Sequence, residues 1–441
     1  MKKIIVFTLL CLAGVLFTSC GKREGVYFFN FKPEIAEKYE EIAKIYEKET
    51  GVPVRVVTAA SGTYEQTLKS EIAKKDAPAI FQINGPVGYT AWKDYCLDLS
   101  GSELYSHLTD KSLAIHDGEG VYGIPYVVEG YGIIYNEALT DKYFALANRG
   151  TSYNSMDEIR SFAALKALVE DMTAHKSELG IEGVFASTSL KSGEDWRFQT
   201  HLANVPIYYE FSDNGVDLKN PDTYKEVSFK YSEEYKNLFD LYLNNSVTDK
   251  KLLGSKQVSD SMAEFALGKC VMVQNGNWAY SQISSVEGNT VAADDVHFLP
   301  LYMGTAEEEY QGLCTGTEGY FAINKNLDAQ TQKEALDFLT WLFTSETGKG
   351  FVTEELDFIA PFDTFDDGDK PKDPLSREVS EWLEKEETYN IPWSFTVFPG
   401  QNFKTDFGNA LLQYAQGSMR WEDVKNTFVN RWREESAALR G

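Results

Sequence analysis

The sequence predicts an α/β fold of two lobes joined by crossing strands, with a ligand cleft between the lobes. Three observations carry this prediction. Residues 26–83 alternate strand, helix, strand, helix, strand at the spacing of a parallel sheet. Residues 120–136, GVYGIPYVVEGYGIIYN, read as one strand broken by Glu129-Gly130-Tyr131-Gly132. Glycines inside a strand weaken it and mark a bend or a close approach to the backbone. Residues 315–320, TGTEGY, repeat that glycine-plus-carboxylate construction. Two such crossings divide the chain into alternating lobes, with Glu129, Tyr131, Glu318 and Tyr320 facing the cleft.

The elements follow in order. Residues 26–31, VYFFNF, form a buried-strand run closed by Lys32-Pro33, and Pro33 suits the first turn of a helix. Ile35, Tyr39, Ile42 and Tyr46 then recur at helical spacing until Gly51. A second strand spans 52–58. Thr63-x-x-Gln66 has the form of a capping box opening a helix with Tyr64, Leu68 and Ile72 on one face. A third strand, 79–83, ends in Asn84-Gly85-Pro86. Ligands of parallel sheets sit beyond the carboxyl ends of the strands, which draws Tyr64, Gln82 and Asn84 together. Further on, 157–172 is helical, 184–186 is a short strand, and 189–198 is a polar loop or helix start containing Trp196. A helix over 261–268 precedes a strand at 270–273 that runs into Asn275-Gly276-Asn277-Trp278, and 298–301 is extended. The last third is helical, apart from the acidic stretch 363–373, expected to be a solvated loop, and the aromatic stretch IPWSFTVFPG at 391–400. There Trp393 and Phe398 are candidates to line the cleft.

The formal charge of −25 repels phosphate backbones, so nucleic acid is excluded as a partner. The chain is 14% aromatic, which suits stacking on sugar rings or other flat ligands, although most rings must fill two cores. At the N-terminus Lys2-Lys3 precedes an apolar run over 4–17 and then Thr18-Ser19-Cys20-Gly21. This resembles the lipobox of bacterial lipoproteins, with Phe17 in place of the usual leucine. It implies a signal peptide over 1–19 and lipidation of Cys20. The apolar run is too short for a membrane span. Cys96, Cys270 and Cys314 are odd in number and widely spaced, and are expected as buried thiols. The five histidines, His107, His116, His175, His201 and His297, are scattered, and no metal or cofactor motif is present.

Three blocks in order, GVYGIPYVVEGYGIIYN, FALGKCVMVQNGNWAYSQI (265–283) and GTEGYFAINKN (316–326), resemble the extracellular solute-binding proteins of ABC transporters, in the carbohydrate-binding family that includes maltose-binding protein. The resemblance implies a periplasmic-binding-protein-like fold whose hinge closes on a sugar. It implies a hinge glutamate at Glu129, a stacking tryptophan at Trp278, and polar contacts at Gln82 and Asn84. Glu318 stands where many relatives carry small residues. The implied partners are a small carbohydrate and a membrane permease. The protein is expected to be a monomer, lipid-anchored outside the cytoplasm.

The expected lobes are 20–130 with 279–317, and 131–278 with 318–441. Three rival functions stay open. A polyamine or other cation would suit Glu129, Glu318 and aromatic rings on the same fold. A secreted glycoside hydrolase would use Glu129 and Glu318 as its carboxylate pair, although crossing segments that flex do not hold a fixed separation. A sensor that reports to a membrane kinase would share the fold. The reading adopted is a binding protein, not an enzyme, with no cofactor.

Overall fold

A computed structural model describes residues 25–60, 63–218, 220–366 and 368–438. The expected leader and Cys20 lie outside the described residues. Two sheets organise the chain. The first contains β1 (Val26–Asn30), β2 (Val54–Thr58), β3 (Ile80–Asn84), β4 (Ile115–Asp117), β5 (Gly120–Pro125) and β10 (Gly319–Ile323), in the order β2-β1-β3-β10-β5-β4. Here β1, β2 and β3 are parallel and β10 runs antiparallel between β3 and β5. The second contains β6 (Glu129–Asn136), β7 (Met272–Gly276), β8 (Val296–Leu299), β9 (Gln311–Gly316) and β11 (Tyr389–Pro392). Its order is β11-β9-β6-β7, with β8 also paired to β6. The mixed α/β, two-lobed architecture read from the sequence is the one observed.

The parallel start forms for the reasons given above. The central strands β1 and β3 are covered by helices on both faces, and β1 is buried at every position, whereas the edge strand β2 leaves Arg55 exposed. The helix Ala36–Thr50 buries Tyr39, Ile42, Ala43 and Tyr46 and stops at Gly51, whose φ of 73° is a left-handed cap. Thr63 makes no capping box, because its hydroxyl donates to the Ala60 carbonyl instead.

Both crossings exist, with two corrections. The first break falls at 126–128, between β5 and β6, and Glu129-Gly130-Tyr131-Gly132 lies inside β6. The glycines there admit neighbours of the same lobe: a Cβ at Gly130 would meet Val379 at 2.3 Å, and one at Gly132 would meet the Leu299 carbonyl oxygen at 2.7 Å. The second crossing joins β9 to β10 through Thr317-Glu318. The expected lobe division is reversed around it. β8 and β9, expected in the first lobe, pair with β6, whereas β10, expected in the second, pairs with β3 and β5. The helices Ala329–Thr344 and Glu346–Glu354 pack with the first sheet, and the helix Pro374–Glu384 packs with the second.

Aromatic side chains fill the second lobe's helical core, where Phe398, Phe403, Phe407, Phe428 and Trp432 contact one another. Phe398 therefore packs inside the lobe, away from the cleft. The short strand expected at 184–186 is reduced to single bridges from Phe185 to Ser246 and Met272. The acidic stretch is not all solvated: Asp373 is buried and caps the helix Pro374–Glu384, accepting from the Ser376 N–H at 2.8 Å. Cys96, Cys270 and Cys314 are buried free thiols, as expected.

Candidate functional site

Between the two sheets, residues from both lobes meet in one cluster of aromatic and charged groups. The first lobe contributes Lys32. Asn30, at the carboxyl end of β1, folds the next residues back: its amide donates to the Lys32 carbonyl at 2.8 Å, and its oxygen accepts from the Lys32 N–H at 3.1 Å. The Lys32 ammonium then donates to Glu129 Oε1 at 2.6 Å, stands 3.7 Å from Glu34 Oε1, and lies 5.6 Å from the Trp278 ring centroid. Both partners of the Lys32–Glu129 pair are buried, at 8% and 3% side-chain exposure. Burial acts against the ammonium, but Glu129, Glu34 and Glu318 more than offset it, so its pKa stands above the ordinary lysine value. In the sequence Lys32 carries only the signal of a strand end.

The second lobe contributes the rings. Tyr131 on β6 pairs in register with Gly276 on β7, and the missing side chain leaves room for Trp278 to fold back: a Cβ at Gly276 would sit 2.2 Å from the indole. Asn277 fixes the turn. Its N–H donates to the Gly130 carbonyl at 3.1 Å, its side-chain oxygen accepts from the Gly130 N–H at 3.0 Å, and its amide donates to Ser376 Oγ at 2.8 Å. Trp278 stands 6.0 Å from Tyr131, 5.9 Å from Trp196, 5.8 Å from His201 and 6.3 Å from Trp393, centroid to centroid. Phe395 closes the group 5.0 Å from Trp393 and 4.3 Å from His201. Trp196 and Trp278 are half-buried, so their faces remain partly open. The expectations for Tyr131, Trp196, Trp278 and Trp393 are thus brought together, and His201 and Phe395 join them unforeseen.

A widened helical turn, Arg197–Leu202, carries His201 and is buried at all six positions. Such i→i+5 turns occur often at functional sites. Its position is set by the Arg197 carbonyl, which accepts from Gln274 Nε2 at 2.9 Å and from the Tyr131 hydroxyl at 3.3 Å. The Arg197 guanidinium lies 3.9 Å over the Trp196 ring. Burial pushes its pKa down to about 10, so it is charged at neutral pH. Burial, followed by the charges of Arg197 and Lys404, holds His201 well below the ordinary imidazole range, so it is neutral.

At the second crossing the Asn84 amide, oriented to suit its neighbours, donates to the Glu318 carbonyl at 3.1 Å and to Glu318 Oε2 at 3.2 Å. Burial, and then repulsion from Glu129, pushes the Glu318 carboxyl up to about 7. Lys404, on the helix Gln401–Ala415, feels both Glu318 and Glu65 from the other lobe, although burial leaves its pKa below the usual value.

Three predicted contacts belong to the first lobe's core. The Tyr64 hydroxyl accepts from the Gln82 N–H at 2.7 Å and donates to the Gln82 carbonyl at 2.9 Å, and its ring stacks on Phe29. Gln82 uses its side-chain oxygen to hold the Phe31 N–H. Tyr320 is buried in the same apolar cluster, in register with Ile83 and Pro125.

A sequence model described as "Bacterial extracellular solute-binding protein" matches residues 41–376. No curated protein matches the sequence. Among solved structures, a chitin oligosaccharide binding protein superposes with a TM-score of 0.70 at 15% identity, covering 93% of this chain and 98% of its own. RafE in complex with raffinose gives 0.65 at 18% identity, covering 94% and 99%. Maltose-bound MalE3 of T. maritima gives 0.66 at 15% identity, covering 93% and 99%. At these identities the superpositions establish the fold.

Proposed function

We propose that this chain, which belongs to the bacterial extracellular solute-binding protein family, captures a sugar or oligosaccharide between its lobes and delivers it to the permease of an ABC transporter. The observation that carries the reading is the pair of half-buried indoles Trp278 and Trp196, backed by the buried rings of Tyr131 and Trp393 and set beside Glu129, where the chain crosses between sheets. Sugars offer apolar C–H faces and hydroxyl edges, so their capture calls for rings to stack on and fixed polar groups to orient hydroxyls. The similar structures include a chitin oligosaccharide binding protein and complexes with raffinose and maltose, which supports the same ligand class here.

In this reading the open form binds solute on one lobe, the crossings at 126–128 and 317–318 bend, and the closed form docks on the permease. The solute drives closure only through contacts made in the closed state and absent from the open one. Lipidation at Cys20 holds the protein, as a monomer, at the outer side of the cell membrane. Among the described residues no helix is long and apolar enough to cross a membrane. The cluster is built for binding rather than for hydrolysis: Glu129 is committed to Lys32, and Glu318 sits in a two-residue connection.

The test is a thermal-shift panel of mono- and oligosaccharides. A ligand at about 100 times its dissociation constant adds about 2.7 kcal/mol, enough to raise the melting midpoint by a few degrees. A shift with one class of sugar is the expected result. No shift with any sugar refutes the ligand class.

A further inference from the structure

We propose that Lys32 sets the charge selectivity of the cleft: its ammonium occupies the position an organic cation would take, and so excludes amine-bearing solutes. This rests on the reading of the cleft as the solute site. It goes further by assigning the rejection of one solute class to one residue.

An organic cation is recognised by carboxylates that accept its N–H groups and by an aromatic face over which it lies. Both components are present, and both are already engaged by the protein's own amine. Lys32 Nζ donates to Glu129 Oε1 at 2.6 Å, stands 3.7 Å from Glu34, and lies 5.6 Å from the Trp278 centroid. The arrangement is fixed, because the Lys32 backbone is tied on both sides of its peptide to the buried Asn30 side chain. A second cation entering here would meet a like charge in a poorly solvated space and would have to share Glu129 with it. A neutral polyol meets no such like-charge penalty. The carboxylates and rings that favour a cationic ligand when read from sequence are therefore neutralised in place.

The experiment compares the full-length protein with Lys32→Met, which keeps the length and apolar stem of the side chain but removes the charge. Putrescine and choline are the probes, read by calorimetric titration, with the sugar panel run alongside. The wild type is expected to bind neither amine. Lys32→Met is expected to bind at least one of them at least tenfold more tightly than the wild type, and Lys32→Arg is expected to behave as the wild type. Lys32→Gln retains a hydrogen-bond donor to Glu129, carries the same expectation, and replaces the methionine variant if that chain does not fold by circular dichroism. A folded, uncharged variant with no gain in amine affinity overturns the inference, as does a wild type that binds either amine as tightly as the variant. The two readings fail separately. Sugar binding by the wild type with no amine gain in the variants sinks only the role of Lys32. Amine gain with no response to any sugar leaves Lys32 in its role and removes the carbohydrate.

Discussion

Glu129→Gln probes the buried pair directly. The substitution keeps the shape of the side chain and leaves the Lys32 ammonium, at 8% exposure, without its closest counter-charge. Removing one partner of a buried ion pair costs about 3–5 kcal/mol, because the surviving charge stays desolvated. Glu34 remains at 3.7 Å and is more exposed than Glu129, so the lower end applies and a loss of about 3 kcal/mol is expected. Restoring neutrality with Lys32→Met in the same chain recovers most of that loss, since a neutral pair of similar volume is tolerated in a buried site. Urea unfolding of the wild type, both single variants and the double variant, followed by tryptophan fluorescence, closes the cycle. A Glu129→Gln protein within about 0.5 kcal/mol of the wild type, or a double variant no more stable than the single, would refute the claim that the pair is buried and coupled.

Two further predictions concern the turn after β7 and a peripheral histidine. Gly276→Ala places a methyl 2.2 Å from the Trp278 indole and expels the half-buried ring, so solute affinity should fall at least tenfold in a titration while the circular dichroism spectrum stays unchanged. His297 stands 3.2 Å from Glu137 and 3.5 Å from Glu378. Its pKa is raised to about 9, first by hydrogen bonding to Glu378 and against the effect of burial. A histidine raised above its unfolded value of about 6.5 contributes stability that is complete below that pH and is lost as pH rises through 9. Melting midpoints should therefore decline between those limits, and His297→Gln should flatten the decline.

The parts of the fold set by local pattern were legible in the sequence. The parallel start follows from alternating apolar runs and helical stripes, and the second crossing is marked by glycine and carboxylate interrupting an apolar run, whereas the same signal at Glu129–Gly132 lies inside β6, just after the first crossing at 126–128. What local pattern does not carry is partner choice. β9 and β10 are joined by only two residues and read as one interrupted strand, so nothing in them tells which sheet each half joins. That depends on β6 and β3, far away in the chain. The same limit divided the aromatic candidates. Trp278 and Trp196 reach the cleft, while Phe398 and Tyr320 fill cores, because a ring carries one apolar signal in either place. Tyr64 reads as a ligand contact until its hydroxyl is seen to close on the backbone of Gln82. A lysine before proline reads as a strand terminator, which hides the role of Lys32. Its position at the carboxyl end of β1, equivalent to that of Asn84 on β3, was the signal available. The widened turn at Arg197–Leu202 has no periodicity that announces it.

The central claim is that solute is held on the aromatic group between the lobes, and Trp278→Ala tests it most directly. The wild type and the variant are titrated with the oligosaccharide that gives the largest thermal shift, with calorimetry as the readout and the unliganded melting midpoint as the control for folding. The account predicts that binding is lost in the variant while the midpoint moves by no more than the few degrees expected for trimming a half-exposed side chain. Unchanged affinity in a folded variant would contradict it and place the ligand elsewhere.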